Sequence, residues 1–338
     1  MNPGLVVKLR PSGPWRIGPD SGARDQVDTV YHSDSLFSAV TWAMASLGRM
    51  EEWLDSTAKA ETSAVSFSSC FPFLGDINLV TPPRTFWPPA PTSKVRWKGA
   101  RFVPLSVVEA RLNGTPLDED RWWIDGLSAC LLPSAATHGP FRPASVSSAA
   151  VDRLNGNAEI HTTACLTFAE DAGVWTIVSF ADEAARDRWL QPLQAALRLL
   201  ADSGLGGERS RGWGHAQQPE FLEGNLPDMI LPARVSPESE SPENSWWLLS
   251  LFTPGERDLV DWTRGNYTTV VRDGRVLSPQ RSGDRKKSLQ MVSEGSVLHA
   301  PEPIRGAARD VAPDGFPHPV YRAGFALAIL LGAQGGGV

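Results

Sequence analysis

The sequence predicts an α+β protein: a βαββαβ unit with a long insert, followed by a second, degenerate β-rich domain. Three observations carry this. Gly 30 and Pro 28 in 338 residues are high together, which favours short strands, turns and long loops over a helical bundle. Apolar periodicity alternates between two and 3.6 in the order strand, helix, two strands, helix, strand. Residues 70–150 are dense in proline and poor in periodicity, which marks them as inserted. The length suffices for two domains of ordinary size.

In chain order, Leu5 to Leu9 (L-V-V-K-L) reads as the first strand, followed by a loop rich in Gly and Pro. Ser33 or Asp34 can cap a helix whose apolar residues Leu36, Phe37, Val40, Met44 and Leu47 share one face. A structureless loop of the length of 70–150 is improbable inside a compact domain, so an arm of about 77–159 is expected, packed on something else. Ile160 to Phe168 and Val174 to Phe180 are β-rich runs joined by E-D-A-G, a hairpin signal. A helix follows from about Asp182 to Ala201, with Trp189, Leu193, Ala196, Leu197 and Leu200 at helical spacing. Pro192 should kink or restart it. It ends at Gly204, and a strand is expected near Gln217 to Leu222, which closes a first domain at about residue 231. This element order is shared with RNA-recognition modules, though order alone does not assign function.

The second domain, 232–338, opens on a Pro/Ser/Glu-rich linker at 232–243. Trp246 to Phe252 is strand-like. Val270 and Val271, then R-D-G-R, then Val276 and Leu277 signal a hairpin, and Val320 to Leu331 reads as one last strand.

At 41% hydrophobic and 21% charged the composition is globular, and a net charge of −6 argues against a protein that coats nucleic acid with its whole surface. The charge is segregated, however. Arg84, Lys94, Arg96, Lys98, Arg101 and Arg111 face one acid, Glu109; Arg272, Arg275, Arg281, Arg285, Lys286 and Lys287 face Asp273 and Asp284. Cys70, Cys130 and Cys165 have no zinc-like spacing and are expected to be reduced and buried. The opening M-N-P-G-L-V-V-K-L-R has no apolar signal-peptide core, and the apolar run from Ala323 to Ala333 is too short to span a bilayer. A soluble, cytoplasmic protein is expected. Thirteen Trp against three Tyr suggests indoles both in the core and on the surface as stacking platforms.

The sharpest motif is Gly204 to Gly214, G-L-G-G-E-R-S-R-G-W-G, five glycines in eleven residues after a helix. Such a backbone can approach a ligand closely and point several N–H groups at one anion. Arg209 and Arg211 suit bidentate phosphate contact or stacking on a base, and Trp213 can stack too. A flexible turn with ordinary surface arginines is the plainer reading. The loop is neither a Walker loop nor a dinucleotide fingerprint. Lys94, Arg96 and Lys98 alternate with Val95 and Trp97, so in a strand they would form a cationic row with an indole opposite, free to wedge against a base. R-S-G-D-R-K-K at 281–287 is either a solvated turn or, with the basic hairpin at 272–275, part of an RNA groove.

The G-x-G-G-x-R-S-x-G-x-G loop resembles the glycine-rich loop of RAMP-superfamily proteins of CRISPR systems. H-S-D-S-L-F-S-A-V at 32–40 resembles their first-helix signature. F-P-F-L-G-D at 71–76 with P-P-R at 82–84, F-V-P-L-S at 102–106, V-D-R-L-N-G at 151–156 and K-K-S-L-Q-M-V-S-E-G-S-V-L at 286–298 resemble further family segments, in the right order. Within the superfamily the resemblance is to the fourth Csm subunit of type III-A complexes. It implies two ferredoxin-like (RRM-like) domains, the second degenerate, with an inserted β-hairpin thumb. It implies a non-catalytic, cytoplasmic RNA-binding subunit of an antiviral ribonucleoprotein that recognises the crRNA 5′ handle. It also implies contacts with the large polymerase/cyclase-type subunit and the first repeated backbone subunit, and a thumb that interrupts pairing of the guide with target RNA. Taken together, the residue patterns and the resemblance give as candidate RNA-binding residues Gly204, Gly206, Gly207, Arg209, Ser210, Arg211, Gly212, Trp213, His32, Ser33, Arg84, Lys94, Arg96, Trp97, Lys98, Arg101, Arg153, Arg272, Arg285, Lys286 and Lys287.

Related RAMP proteins that process the guide precursor are metal-independent ribonucleases, some with a histidine near the first helix. His32 is placed to act as their general base, which makes a guide-processing endoribonuclease the alternative. Against it, those nucleases carry the glycine-rich loop near the C-terminus, whereas 124 residues follow Gly214 here (338 − 214). The plainer role for His32 is to fix the helix start or pack against the loop. No H-x-D, H-E-x-x-H or G-x-S-x-G pattern is present, so neither a metal nor another cofactor is expected.

Overall fold

The structure, a computed structural model, describes residues 2–19, 22–151, 158–234, 244–278 and 283–331. Its elements run β1 (Asn2–Leu9), α1 (Ser33–Ser46), α2 (Met50–Ser56), β2 (Val65–Phe67), β3 (Phe71–Leu74), β4 (Ile77–Val80), β5 (Val103–Pro104), α3 (Leu105–Leu112), β6 (Trp122–Asp125), β7 (Cys130–Pro133), β8 (Phe141–Val151), β9 (Ala158–Phe168), β10 (Ala172–Phe180), α4 (Glu183–Ser203) and β11 (Glu220–Leu226). The main sheet is antiparallel with order β11-β1-β10-β3-β4-β5, and β2 also pairs with β10. β1 lies between two partners, with Val7 opposite both Thr176 and Phe221, and its Leu5, Val6 and Val7 are buried on both faces.

α1 and α4 cover the sheet through an aromatic junction. Trp53 of α2 stacks on Phe37 of α1 (5.6 Å), meets Trp189 of α4 edge-on (5.2 Å) and tilts against Phe67 of β2 (6.2 Å). Its indole N–H is satisfied by Thr41. Aromatic contacts of this kind add to the stabilisation that burying their area gives. Asp182 caps α4 by accepting from the Ala185 amide. The helix continues through Pro192 with neither a break nor a restart. α1 differs in its cap: His32, and not Ser33 or Asp34, occupies the N-cap position, without a side-chain cap bond, because the helix already includes Ser33 and Asp34. Leu47 is largely exposed, since α1 ends one residue before it.

The expected arm is in large part core. β4 and β5 belong to the main sheet, and Val95, Trp97, Ala100, Phe102, Val103, Leu105, Val107, Val108 and Cys130–Leu132 are buried in one cluster continuous with the main core. Low periodicity here reflects short irregular pieces packed on all sides, for which no single period exists. What projects is the β8–β9 ladder, eleven residue pairs long. Its base is buried at Phe141, Ala164, Cys165 and Leu166, but farther out Val146 and Ile160 (74% exposed) face solvent. β9 therefore pairs with β8 and not with β10, and the E-D-A-G hairpin does not form; the chain turns there into a different sheet.

The C-terminal part holds β12 (Ser245–Leu248), β13 (Asp261–Asn266), β14 (Thr269–Arg272), β15 (Leu289–Val292), β16 (Val297–His299), β17 (Ala308–Asp310), β18 (Tyr321–Ala323) and β19 (Ala328–Leu330). A four-stranded sheet has order β13-β16-β12-β19, with β14–β15 and β17–β18 as separate ladders. β14 pairs with β15 rather than with 276–277, because Arg275 and Arg285 close a wider loop between them. The last apolar run is two strands in two sheets, split at Gly324, whose added Cβ would sit 2.5 Å from Thr253. β12 alternates its loyalties: Trp247 packs into the main core and Trp246 and Leu248 into a smaller second cluster. All three cysteines are buried free thiols. No helix among the described residues is long and apolar enough to cross a membrane.

Candidate nucleic-acid interface

The glycine-rich loop is a fixed shape. The amides of Gly204, Leu205, Gly207 and Gly214 donate to the carbonyls of Leu200, Gly214, Arg16 and Pro14, all within 2.8–2.9 Å. Gly206 (φ 81°) and Gly214 (φ 83°) need the left-handed region, and a Cβ on them would meet the carbonyl oxygens of Arg16 and Leu205 at 2.3 and 2.1 Å. These glycines are there so that two backbones can touch. The amides expected to face an anion are thus largely spent inside the protein. What remains outward is one 3-10 turn, Arg209–Arg211, entered by Glu208 at φ 60° and left by Gly212 at φ 79°. Ser210, Arg211 and Gly212 are exposed and Arg209 half-buried. Trp213 is buried and is not a stacking platform, because it turns inward to pack.

Arg16 ties this loop to the projecting hairpin. Its buried guanidinium donates to the carbonyls of Ala23, Arg24 and Ala164 (2.8–3.1 Å), and Leu166 of β9 exchanges backbone bonds with Trp15. Farther out, Arg211 reaches Ser148 of β8 at 3.4 Å. The exposed turn and the exposed hairpin therefore form one surface, held from below by a buried cation. Pairing with Glu208 at 3.2 Å is the only ion pair of Arg211 among the described residues, and an exposed pair of that kind is easily exchanged for a phosphate.

The start of α1 is a sealed charge network. His32 is 6% exposed, its Nδ1 2.7 Å from Glu294 and its Nε2 3.2 Å from Asp28. Burial opposes its charge, but the two carboxylates, Glu294 foremost, outweigh that and hold its pKa up at about 9. Ser69 also donates to Glu294. Ser33 is buried, its hydroxyl accepting from the Leu251 amide. Asp34 accepts two bonds from Arg272 (3.0 and 3.1 Å) and one from Arg322. Burial pushes its pKa up, but the two guanidiniums pull it down to about 2. His32, Ser33 and Arg272 (5% exposed) are therefore not contact residues, because their polar atoms are consumed between the two halves of the chain. Lys286 is half-buried beside Arg322, Arg272 and Asp34; burial and the neighbouring guanidiniums depress its pKa to about 8.

The other basic positions separate similarly. Lys94, Arg96 and Lys98 are exposed while Val95 and Trp97 are buried, so the alternation holds although the segment is loop and 3-10 turn rather than strand. Trp97, 2% exposed and edge-on to Trp87, is core and not a wedge. Lys94 pairs with Asp120, and Arg101 hydrogen-bonds Thr29 at 2.7 Å. Arg84 is exposed with its backbone tied to Gly295 and Asn266. Arg285 pairs with Asp273, and Lys287 with Asp314 at 2.7 Å. Arg153, Arg281 and most of 151–156 and 232–243 lie outside the described residues. Among the described residues no group of three or more His, Cys, Asp or Glu is placed to hold a metal ion.

Two contributors were not singled out from the sequence. Arg16 carried no signal there, its partners being carbonyls up to 148 residues away. Trp42 did: two residues beyond Val40, it falls well off the apolar stripe of α1. It is exposed, with Arg209 over its ring at 5.5 Å.

This fold recurs in solved chains of type III-A CRISPR assemblies. Residues 241–331 match the family model described as the CRISPR Csm4 C-terminal domain. A chain of the Csm3-Csm4 subcomplex in the type III-A CRISPR-Cas interference complex superposes with a TM-score of 0.64 at 15% identity, over 96% of this chain and 98% of that one. Chains of the Csm1-Csm4 cassette, solved in complex with cA4 and with AMPPNP, give 0.57 and 0.55 at 19% and 20% identity, over 97% of both chains. Within the class the similarity is thus to Csm4, the component those assemblies share. No curated protein matches the chain.

Proposed function

We propose that this chain is the Csm4-type subunit of a type III-A CRISPR complex, holding the crRNA 5′ handle without cutting it. It docks a Csm1-type large subunit and a Csm3-type backbone subunit. The observation that carries the RNA reading is the surface turn Arg209–Arg211, presented on a rigid glycine-rich base beside the β8–β9 hairpin. A guanidinium at such a turn binds phosphate as a two-pronged donor, and the rigid base lowers the entropy cost of ordering it. The strand order β11-β1-β10-β3 with α1 and α4 supports a ferredoxin-like first domain. The helix-poor C-terminal part supports a degenerate second one, and the solvent-facing outer half of the hairpin suits a thumb laid along guide RNA. His32 supports no nuclease role, since both ring nitrogens are engaged and the ring faces no solvent.

Binding of purified full-length chain to 5′-handle RNA, measured across salt concentrations, tests this. The double variant Arg209→Ala/Arg211→Ala should fold normally, bind more weakly and lose roughly 0.7 of log–log salt slope per phosphate contact. Wild-type affinity and slope in that variant would remove the loop from the interface. Metal-independent cleavage of repeat RNA by the wild type, lost in His32→Ala, would replace the binding role with a nuclease.

A further inference from the structure

α1 turns one large aromatic away from its packed face. Phe37, Val40 and Met44 are buried, while Trp42 is 37% exposed. Its indole is not bare: the Arg209 guanidinium carbon stands 5.5 Å from the ring centroid. That arginine is delivered there by the loop, because its Cγ lies against Gly204, 3.3 Å from where a Cβ would be. Ser210 and Arg211 follow it on the same exposed turn. An exposed indole, a guanidinium over it, and a hydroxyl and a second guanidinium one and two residues on are the parts that an unpaired nucleotide needs. The flat faces take a base and the donors take its phosphate. A surface cation–π pair is weak by itself, so the arginine can yield its place or share it with a third flat group.

We propose that Trp42 and Arg209 form a nucleobase-stacking subsite that takes one unpaired base of the RNA whose backbone runs along Ser210 and Arg211. This rests on the RNA-binding reading given above and adds a residue and a ligand group to it. Stacking accepts any base, so the subsite fixes the register of the strand rather than its sequence.

The test uses full-length chain, labelled handle RNA, and a series of handle RNAs in which each base in turn is removed. Trp42→Ala should weaken binding of intact RNA by roughly tenfold, the loss expected for one stacked base, and Trp42→Phe should restore most of it. One abasic position should cost the wild type a similar factor and cost Trp42→Ala nothing. If Trp42→Ala binds like wild type while Arg211→Ala is weakened, the stacking subsite falls and the loop reading stands. If Trp42→Ala is weaker by the same factor at every abasic position, the indole only steadies Arg209 and the subsite falls. If the wild type holds no RNA, both readings fall together.

Discussion

Arg272 and Arg211 come from two stretches that the sequence marks as cationic, the basic hairpin and the glycine-rich loop. Arg272 ends β14 at 5% exposure, bidentate on Asp34 and bonded to Ser35. Arg211 is 47% exposed at the side chain, on a tight turn, paired with Glu208. The same contrast separates two indoles, Trp97 in the core and Trp42 on the surface. Residue type is shared within each pair, and the surroundings decide the use. A guanidinium sealed beside a carboxylate holds two parts of the protein together. One left on a rigid surface turn is available to something else.

The largest expected effects come from the sealed set. Asp34→Ala leaves Arg272 and Arg322 buried without their anion and should cost about 3–5 kcal/mol, read as a lower urea midpoint. A loss below about 1 kcal/mol would mean that water reaches these groups and would dissolve the contrast. Trp97→Ala should cost a similar ~3–5 kcal/mol, while Trp42→Ala should stay within about 0.5 kcal/mol, both by urea denaturation. Equal losses would place both indoles in one environment.

A smaller effect follows from pH. The pKa of His32 is raised to about 9 from an ordinary 6.5, so the folded chain holds this proton more tightly than the unfolded one. Its contribution is complete below about 6.5 and is lost as pH rises through about 9. Lys286, depressed to about 8, acts oppositely above that pH. The cleanest window is therefore pH 6.5–8, where the urea midpoint of the wild type should fall and that of His32→Gln should stay flatter. Parallel curves would show that His32 is not the group responsible.

Local signals in the sequence carry over well. The stripe Leu36, Phe37, Val40, Met44, the start of α4 at about Asp182 and the break at Gly204 each depend on neighbours within a few residues, and each appears as expected. The glycine-rich loop is also legible as a special backbone. Its glycines, however, serve contact with residues 14–16, some 190 positions earlier, which no local pattern carries. Sidedness of the cations fails for the same reason: Arg272 meets Asp34 across 238 positions, and Arg322 meets it across 288. Strand pairing is likewise non-local, so β9 and β10 were legible as strands but not as members of different sheets.

Those separations set an order of events during synthesis. The first turn of α1, with His32 and Asp34, leaves the ribosome long before Arg272, Glu294 and Arg322 have been made. Until then Asp34 lacks both of its guanidiniums and His32 has only Asp28, and the earlier half cannot close over them without a desolvation penalty. Closure waits for the last strands. A nascent chain stalled before Glu294 would keep this seam wet and open, and full burial of the α1 start requires residues as far along as Arg322.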